Sequence, residues 1–350
     1  MSATKILITG ATGYIGGSVL TELLKSTNAL VKTGSISALV RGKDQAEVLS
    51  THGVTPILFK SLDDLEYLEQ VAAEFDVIIN SANAFHTKSA EAFIRGLAQR
   101  KEQTGNEVYF IHTSGTSSVG DRRVSGTYIE NRILSDKTDD IYSFEKALEG
   151  HDSYPQRATD VAVIETGLTA GVKTYILMPP TIYGTGTGFF NRNSIQIPTL
   201  IRTAIRKGHV EVIGPGEGYW NHAHVEDVAK LFELFLGLVL EGKGLRSGKE
   251  GIYFAETGEH TWLELAERVG KAGFELGVLK DQSPVSISLE TSAGQWGGGS
   301  LQYGELGWAS SSRTRAVLSR EIGWKPTKTR ADFEGHFLEE FKAILEKEKN

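Results

Sequence analysis

The first half of the chain alternates short apolar runs with segments whose apolar residues recur every three or four positions. The latter spacing, as in Leu65, Leu68 and Val71, predicts helices. The apolar runs predict buried strands at Lys5–Thr9, Ser35–Val40, Thr55–Phe59, Phe75–Ile79, Val108–His112 and Lys173–Leu177. Strand–helix alternation at this pitch is typical of right-handed βαβ units. We therefore predict an α/β fold with a Rossmann-type, doubly wound parallel sheet.

The pattern loosens after the glycine-rich turn Gly184–Gly188. Helical spacing returns at 195–207, at 227–240 and near the C-terminus. We therefore expect a first domain over residues 1–184, completed by parts of 219–257, and a smaller, mostly helical domain over 185–350. Residues 291–304 are rich in glycine, so Trp296 and the glycines after it predict a mobile lid or a disordered loop.

Composition excludes several classes of protein. The 350 residues contain 37 Lys and Arg against 44 Asp and Glu, a net charge of −7, whereas a general nucleic-acid binder carries the opposite sign. There is no cysteine, which excludes a disulfide scaffold, a cysteine–zinc site and a thiol nucleophile. We find no apolar stretch long enough to span a membrane and no signal peptide, so we expect a cytoplasmic protein.

A glycine-rich loop follows the first strand. Thr9–Gly16 reads T-G-A-T-G-Y-I-G and precedes a helix. Glycines at Gly10, Gly13 and Gly16 let the backbone turn sharply and approach a pyrophosphate, and the helix N-terminus supplies N–H donors. The alternative is a tight turn that binds nothing; the strand before and the helix after it favour dinucleotide binding.

Five ordered motifs carry a family resemblance. The loop TGATGYIGG resembles the cofactor loop of the short-chain dehydrogenase/reductase superfamily, in its extended branch of epimerases and dehydratases. The further matches are Asn80–Asn83 (NSAN), Phe110–Ser114 (FIHTS), Met178–Gly184 (MPPTIYG) and His224–Ala229 (HVEDVA). The resemblance spans about residues 5–260. It implies that the cofactor lies against Gly10, Thr12, Gly13, Tyr14, Ile15, Gly16, Ser81, Ala82, Asn83 and Pro179.

The segment after the second strand bears on the choice of nicotinamide cofactor. NAD-binding loops usually place an acidic residue there to bind the ribose hydroxyls. Here the segment reads Val40-Arg41-Gly42-Lys43. Two cations can pair with the 2′-phosphate of NADP(H). We therefore favour NADP(H) over NAD(H), with Arg41 binding the phosphate and Lys43 assisting; the alternative is an ordinary solvated loop.

The resemblance implies a Tyr-x-x-x-Lys pair and a serine or threonine hydroxyl, here Ser114, although Thr116 and Ser117 lie beside it. Two alignments remain open. Tyr142 and Lys146 match the pattern literally, but Lys146 lies further from the sixth strand than one helix and a turn require.

In the other alignment Tyr154 opens a helix at the expected spacing, but the lysine position is Ala158. Arg157 is one residue early, and its geometry differs from that of lysine. We favour Tyr154, which makes the site atypical.

For the substrate, the resemblance points to the segment after the glycine turn, with Arg192 and Ser194, and to Trp220 as a wall of the cleft. His222 and His224 form H-x-H without a supporting third ligand, so we expect no metal site. The expected partner is a small molecule, neither nucleic acid nor membrane, and a homodimer is compatible with the sequence.

The leading interpretation is an NADP(H)-dependent oxidoreductase, or an epimerase/dehydratase-like enzyme, acting on a carbonyl or hydroxyl group. Two alternatives stay open. One is a non-catalytic NADP(H) sensor or scaffold, because the lysine is missing from the favoured alignment. The other is a non-redox isomerase or lyase on the same fold.

Overall fold

A computed structural model describes residues 3–348. The strands are β1 (Lys5–Thr9), β2 (Ser35–Val40), β3 (Thr55–Leu58), β4 (Val77–Asn80), β5 (Tyr109–Thr113), β6 (Leu134–Ser135), β7 (Lys173–Met178), β8 (Thr181–Tyr183), β9 (Glu211–Ile213), β10 (Tyr219–His224), β11 (Ile252–Phe254), β12 (Gly258–Thr261), β13 (Val285–Ile287) and β14 (Thr314–Arg315).

The helices are α1 (Tyr14–Leu24), α2 (Ala29–Thr33), α3 (Lys43–Thr51), α4 (Leu65–Ala72), α5 (Thr87–Thr104), α6 (Ile141–His151), α7 (Pro155–Ala170), α8 (Gln196–Lys207), α9 (Val225–Leu240), α10 (Trp262–Glu275), α11 (Leu289–Gln295), α12 (Leu301–Trp308), α13 (Val317–Glu321) and α14 (Arg330–Glu348). None of these helices, within residues 3–348, combines the length and apolar character needed to cross a bilayer.

Within residues 3–348, seven parallel strands form the central sheet in the order β3-β2-β1-β4-β5-β7-β11. The order reverses between β1 and β4, which is where open α/β sheets bind ligands. The predicted α/β fold with a doubly wound parallel sheet is confirmed. The last strand, β11, comes from beyond residue 184, whereas β10 pairs with β8 and β12 in a separate small sheet. The predicted domain boundaries stay a prediction.

Both faces of the sheet are buried because alternate side chains of each strand point to opposite sides. In β1, Leu7 joins the core beneath α4, α5 and α7. Its neighbours Ile6 and Ile8 join the other core, beneath α1 and α9. A third core lies among α8, α10 and α14. The central sheet therefore holds its loops on a rigid layer, and the C-terminal helices pack as a unit of their own.

The expectation of a disordered loop at residues 291–304 is wrong, whereas that of a mobile lid stays a prediction. The helices α11 and α12 occupy most of this segment, and hydroxyls at Ser288 and Ser300 cap their N-termini. Trp296 is buried in the third core, and its indole N–H donates to Thr203 Oγ1 at 3.1 Å. The glycine content hid two short helices because capping and tertiary burial outweigh the weak helix propensity of glycine.

Candidate active site

The backbone of the glycine loop packs closely against the backbone of the segment that follows β4. Gly10 has a φ of +72°, and a Cβ there would lie 2.4 Å from the carbonyl oxygen of Ser81. At Gly16 a Cβ would lie 2.4 Å from the carbonyl oxygen of Gly10. Side chains at these two positions would force the turn apart, so both glycines are needed for the local fold itself.

Gly13 serves a different purpose. Its φ is −87°, and a Cβ there would meet only the Gly10 carbonyl oxygen, at 3.2 Å. It precedes α1, whose N-terminus no side chain caps. Open space in front of an uncapped helix N-terminus suits a diphosphate, which accepts hydrogen bonds from backbone N–H groups there. The loop therefore fits a dinucleotide cofactor.

A cavity runs from this loop across the C-terminal ends of β2 and β3; we name it the glycine-loop cavity. Its lining residues are Gly10, Thr12, Gly13, Leu39, Val40, Arg41, Gln45, Phe59, Lys60, Ser61, Leu62, Asp63, Ser81, Ala82, Asn83 and His86. The predicted residues of the adenosine half, from the loop, from the β2 end and from NSAN, thus lie around one space.

The charges of the glycine-loop cavity come from neighbouring strand ends. Arg41 directly follows β2, and Lys60 lies two residues after the end of β3. Between β3 and Lys60, the Phe59 N–H donates to the Val40 carbonyl at 3.1 Å, which keeps the two strand ends together. The acidic Asp63 is paired with His86 at 3.1 Å. Sequence reasoning missed Lys60, although its place directly after a strand adjacent to β2 was a usable signal.

Lys43 does not line this cavity, contrary to expectation. It is the first residue of α3, a helix that the sequence analysis did not predict, and it is exposed. Because α3 begins directly after Gly42, its first turn carries Lys43 away from the strand end. Gln45, two residues on, lines the cavity instead and accepts a hydrogen bond from the Gly42 N–H at 3.2 Å.

A second cavity, of about 190 Å³, lies at the C-terminal ends of β5 and β7; we name it the tyrosine cavity. Its lining residues are Tyr14, Ile15, Phe85, Ser114, Gly115, Thr116, Ser117, Tyr154, Gln156, Pro179, Pro180, Ile182, Ser194, Ile195, Gln196, Trp220, Tyr303, Gly307 and Trp308. The glycine loop separates the two cavities, since Thr12 and Gly13 line one and Tyr14 and Ile15 the other.

Tyr154 lies in this cavity at the start of α7, where Pro155 occupies the first helical turn. Its hydroxyl donates to Ser117 Oγ at 3.3 Å, and Ser117 Oγ donates to Gln156 Oε1 at 2.6 Å. Burial raises the pKa of the Tyr154 hydroxyl, and the hydrogen bond with Ser117 offsets only part of this. Tyr154 is therefore protonated at neutral pH.

The predicted Ser114 also lies in the cavity, but its proton is already committed. Its Oγ donates to Asp160 Oδ2 at 2.6 Å and accepts from Gln156 Nε2 at 3.3 Å. Ser117, rather than Ser114, is the hydroxyl bonded to Tyr154. Gln156 thus joins the two serines, a role that no motif in the sequence indicated.

Behind Ser114 lies a buried polar cluster. Asp160 accepts a second hydrogen bond from Ser118 Oγ at 2.8 Å, and its Oδ1 lies 3.7 Å from His112 Nε2. Burial raises the pKa of Asp160 and, next to it, that of Glu145, whose carboxylate is fully buried. Burial lowers the pKa of His112 to about 4. The cluster therefore favours neutral forms of all three groups.

Tyr142 and Lys146, the alternative pair, lie outside the tyrosine cavity. The Tyr142 hydroxyl donates to Glu165 Oε1 at 2.8 Å, and Lys146 forms an ion pair with the same carboxylate. The reason is that α6 ends, with Asp152 as its C-cap residue, before α7 begins. Tyr142 sits on the separate helix, so the literal motif match is not the pair that faces the cavity.

Of the three substrate residues predicted, two line the tyrosine cavity and one does not. Ser194 is buried there, and Trp220 donates its indole N–H to Ser310 Oγ at 3.0 Å. Arg192 is exposed, and its guanidinium donates to the carbonyl of Gly186. The loop folds back on itself there, which turns Arg192 away from the cavity.

The two histidines of H-x-H have structural roles. His222 contacts His260, with their Nδ1 atoms 3.2 Å apart, and stacks on Phe333. His224 caps α9 by accepting from the Glu226 N–H at 3.2 Å. Burial lowers the pKa of His222 to about 3 and that of His224 to about 4. Between residues 3 and 348 no group of three potential ligands has a geometry suited to a metal ion.

Tyr303 and Trp308 are further lining residues that sequence reasoning missed. They come from α12, in the segment interpreted as a lid or loop. Phe85, from the loop before α5, contacts both Tyr154 and Tyr303 edge to face, with ring centroids 5.8 and 5.7 Å apart. No local pattern reveals these contacts, because they join segments far apart in the chain.

Two families match parts of the chain: the NmrA-like family over residues 2–95 and the NAD dependent epimerase/dehydratase family over residues 145–244. The oxidase ucsJ of Acremonium sp. is 29% identical over an alignment of 342 residues, and the alignment covers 92% of each protein. The resemblance to the extended short-chain dehydrogenases/reductases is confirmed.

Solved structures agree on the fold. UDP-glucose 4-epimerase of Thermotoga maritima, crystallised with UDP-glucose, superposes with a TM-score of 0.63 at 16% identity, covering 98% of this chain and 100% of that one. DesIV, a dTDP-glucose 4,6-dehydratase of Streptomyces venezuelae with NAD bound, gives 0.65 at 18%, covering 98% and 97%. The chain therefore has the fold of these epimerase and dehydratase structures.

Replacing Gly13 should separate cofactor binding from folding. Gly13→Val is expected to weaken NADPH binding by at least about 100-fold, the scale of a lost diphosphate contact, because the added side chain fills the space in front of α1. The turn itself should persist, since a φ of −87° is open to valine. NADPH fluorescence titration and thermal melting measure the two effects. Gly150→Val, at a position with open space around it, is the control. Full affinity in a folded Gly13→Val protein would refute the loop assignment.

Asp160→Asn should change the pH dependence of stability. A raised pKa means that folded Asp160 holds its proton more tightly than the unfolded chain does, so the free energy of unfolding falls as pH rises above the ordinary carboxyl range. The decline between about pH 5 and 8 should shrink by at least about 1 kcal/mol in the variant, measured by urea denaturation.

The control for this measurement is Asp281→Asn. A backbone hydrogen bond from Ser283 lowers the pKa of Asp281, so that carboxyl does not titrate in the same window. The same decline in wild type and Asp160→Asn would show that Asp160 is ionised throughout.

Proposed function

We propose that the protein is an NADP(H)-dependent oxidoreductase that reduces the carbonyl group of a small molecule, with Tyr154 as the proton donor. The observation that carries the proposal is the position of the Tyr154 hydroxyl. It lies in one cavity with Ile15 and Pro179, at the C-terminal ends of the strands and beside the glycine loop. The relative named as an oxidase supports a redox reaction.

NADP(H) is favoured over NAD(H) by the charges at the far end of the glycine-loop cavity. Arg41 and Lys60 come from adjacent strand ends, and Asp63, the acid among the described lining residues, is engaged with His86. Two cations can hold a 2′-phosphate, whereas an acidic residue bonded to the ribose hydroxyls would repel it. DesIV was crystallised with NAD, so the preference of this chain for NADP(H) is tested directly by the titration of both nucleotides described below.

A reduced nicotinamide held beside Ile15 and Pro179 would supply the hydride that the carbonyl carbon accepts, and would itself be oxidised. Tyr154 gives its proton to the carbonyl oxygen, so that the carbonyl becomes an alcohol. Burial raises the pKa of Tyr154, which keeps the hydroxyl protonated but makes it a weaker acid, and the hydrogen bond with Ser117 and the charge of Arg157 offset part of this. Ser117, bonded to Tyr154, positions that hydroxyl.

Arg157 supplies the positive charge that the missing lysine would have brought near the tyrosine. Its guanidinium carbon lies 5.8 Å from the centre of the Tyr154 ring. It is fixed by donating to the Ser118 carbonyl at 2.7 Å and to the Asp152 carbonyl at 2.9 Å. Its charge favours the phenolate that forms when Tyr154 gives up its proton.

A second candidate function is a non-catalytic NADP(H) binder. It is favoured by Ala158 at the lysine position and by the lack of a cationic side chain among the described residues that line the tyrosine cavity. Such a protein would bind NADPH in the same way but oxidise it with no carbonyl compound. The two candidates therefore differ in turnover and not in cofactor affinity.

Arg41→Ala tests the cofactor preference. We expect NADPH binding to weaken by about 2 kcal/mol, the scale of one charge-assisted hydrogen bond, while NADH binding stays nearly constant. Fluorescence titration of both nucleotides measures this. Lys43→Ala is the matched control, since Lys43 lies off the cavity, and it should affect neither nucleotide. Equal losses for both nucleotides in Arg41→Ala would mean that Arg41 only supports the loop.

Tyr154→Phe tests the chemistry. Turnover should fall at least 100-fold, in the range of general acid catalysis, while NADPH affinity stays unchanged, because a proton donor acts in the transition state. The assay follows NADPH absorbance with a panel of small aldehydes and ketones. Lys146→Ala should change neither quantity, since Lys146 is paired with Glu165 outside the cavity. NADPH binding without turnover in wild type would favour the non-catalytic binder.

A further inference from the structure

The tyrosine cavity carries no formal charge. Among its described lining residues there is no Asp, Glu, Lys, Arg or His. Two arginines could pair with an anion from outside the lining, but both are engaged elsewhere. Arg192 donates to the Gly186 carbonyl, and Arg157, beside the Tyr154 ring, donates to the Ser118 and Asp152 carbonyls. A diphosphate buried here would have no counter-charge, and burying an unpaired anion is costly. The cavity therefore does not suit a sugar nucleotide such as the one bound to the Thermotoga maritima epimerase.

The walls of the cavity are aromatic and come from separate elements. Phe85, Trp220, Tyr303 and Trp308 line it together with Tyr154. Phe85 contacts Tyr154 and Tyr303 edge to face, and the Tyr303 and Trp308 centroids lie 5.9 Å apart. The Trp220 ring packs on Trp262. Flat, rigid walls of this kind select flat apolar molecules. The volume of about 190 Å³ is below the roughly 300–1,000 Å³ of sites for drug-sized ligands. Since the nicotinamide of the proposed function would share this space, the substrate must be small.

Three buried polar groups of the lining lack a hydrogen-bond partner within residues 3–348: Thr116 Oγ1, Ser194 Oγ and Trp308 Nε1. Each belongs to a side chain that is more than nine-tenths buried. A buried polar group without a partner costs about 1–3 kcal/mol, so such groups mark places where a ligand atom completes the bonding. The Trp308 N–H is covered in this structure, so a ligand reaches it only where the covering side chains shift. Because the N–H can only donate, the ligand atom that completes its bonding is an acceptor oxygen.

We propose that the tyrosine cavity binds an uncharged, flat and largely apolar carbonyl compound that bears a second acceptor oxygen, which the Trp308 N–H binds. The proposal rests on the proposed function for the reacting carbonyl, which Tyr154 protonates as hydride reaches its carbon. It adds the substrate class and a specificity-determining residue, Trp308. The product is the corresponding neutral alcohol, and one NADPH is oxidised per carbonyl reduced.

A pair of aldehydes isolates the effect of charge. Methyl 4-formylbenzoate and 4-formylbenzoate have similar size, but only the second is an anion at pH 7. We expect kcat/KM for NADPH-dependent reduction to favour the ester by at least about 100-fold, because the cavity cannot pair a carboxylate. UDP-glucose should neither be turned over nor inhibit ester reduction. Equal values, a preference for the anion or inhibition by UDP-glucose would overturn the proposal.

A Trp308→Phe variant isolates the second oxygen. It keeps an aromatic ring and removes the N–H, so KM for the ester should rise about tenfold, the scale of one hydrogen bond, while kcat changes little. KM for benzaldehyde, which lacks the second oxygen, should change less than about twofold. The control is Trp324→Phe, whose indole N–H donates to the Asp227 carbonyl far from the cavity; it should leave both KM values as in wild type.

These results distinguish the failure of the two proposals. Reduction of 4-formylbenzoate or of a keto sugar nucleotide, with the ester inert, would overturn the substrate class and leave NADPH-dependent reduction standing. Equal rises in KM for ester and benzaldehyde in Trp308→Phe would show that Trp308 only shapes the cavity. Absence of NADPH binding would overturn the proposed function itself. If turnover is too slow to measure, binding of the ester to the NADPH-loaded protein is followed by tryptophan fluorescence instead. A lack of ester binding would also overturn the substrate class.

Discussion

The site depends on how closely two backbone segments meet at the C-terminal edge of the sheet. The glycine loop after β1 lies against the segment after β4, so that a Cβ on Gly10 would be 2.4 Å from the Ser81 carbonyl oxygen. Thr9 reinforces the contact, because its hydroxyl accepts from the Ala82 N–H at 3.2 Å. This approach occurs where the strand order reverses, and the two cavities lie on either side of the loop. A single methyl group at Gly10 would disturb both.

The two cavities divide the work by charge. The glycine-loop cavity has Arg41 and Lys60 at adjacent strand ends and an uncapped helix N-terminus, all suited to phosphates. The tyrosine cavity is walled by aromatic rings and hydroxyls. A dinucleotide that lay across the loop would have its phosphates near the cations of one cavity and its nicotinamide near the aromatic rings of the other. The distribution of charge would thus fix which way round the dinucleotide binds.

A buried polar network lies beside Tyr154, in whose alignment Ala158 takes the lysine position. Gln156 bridges Ser117 and Ser114, and Ser114 bonds to Asp160. Arg157 contributes a positive charge 5.8 Å from the centre of the Tyr154 ring. Such a network is costly to bury unless its members are bonded or neutral, and burial accordingly favours the protonated form of Asp160. The hydroxyl of Tyr154 is held by hydrogen bonds rather than by an ammonium group.

The sequence by itself determined the parallel sheet, the glycine loop and the placement of Arg41, because these depend on local periodicity and on glycines next to a strand. It also favoured Tyr154 from its spacing to β7. Only the tertiary structure shows that Tyr154 lines the tyrosine cavity and Tyr142 does not, since α6 ends at His151 and α7 is a separate helix. The aromatic walls from α12 and the contact of Asp160 with Ser114 were likewise beyond local patterns, because packing between distant segments creates them.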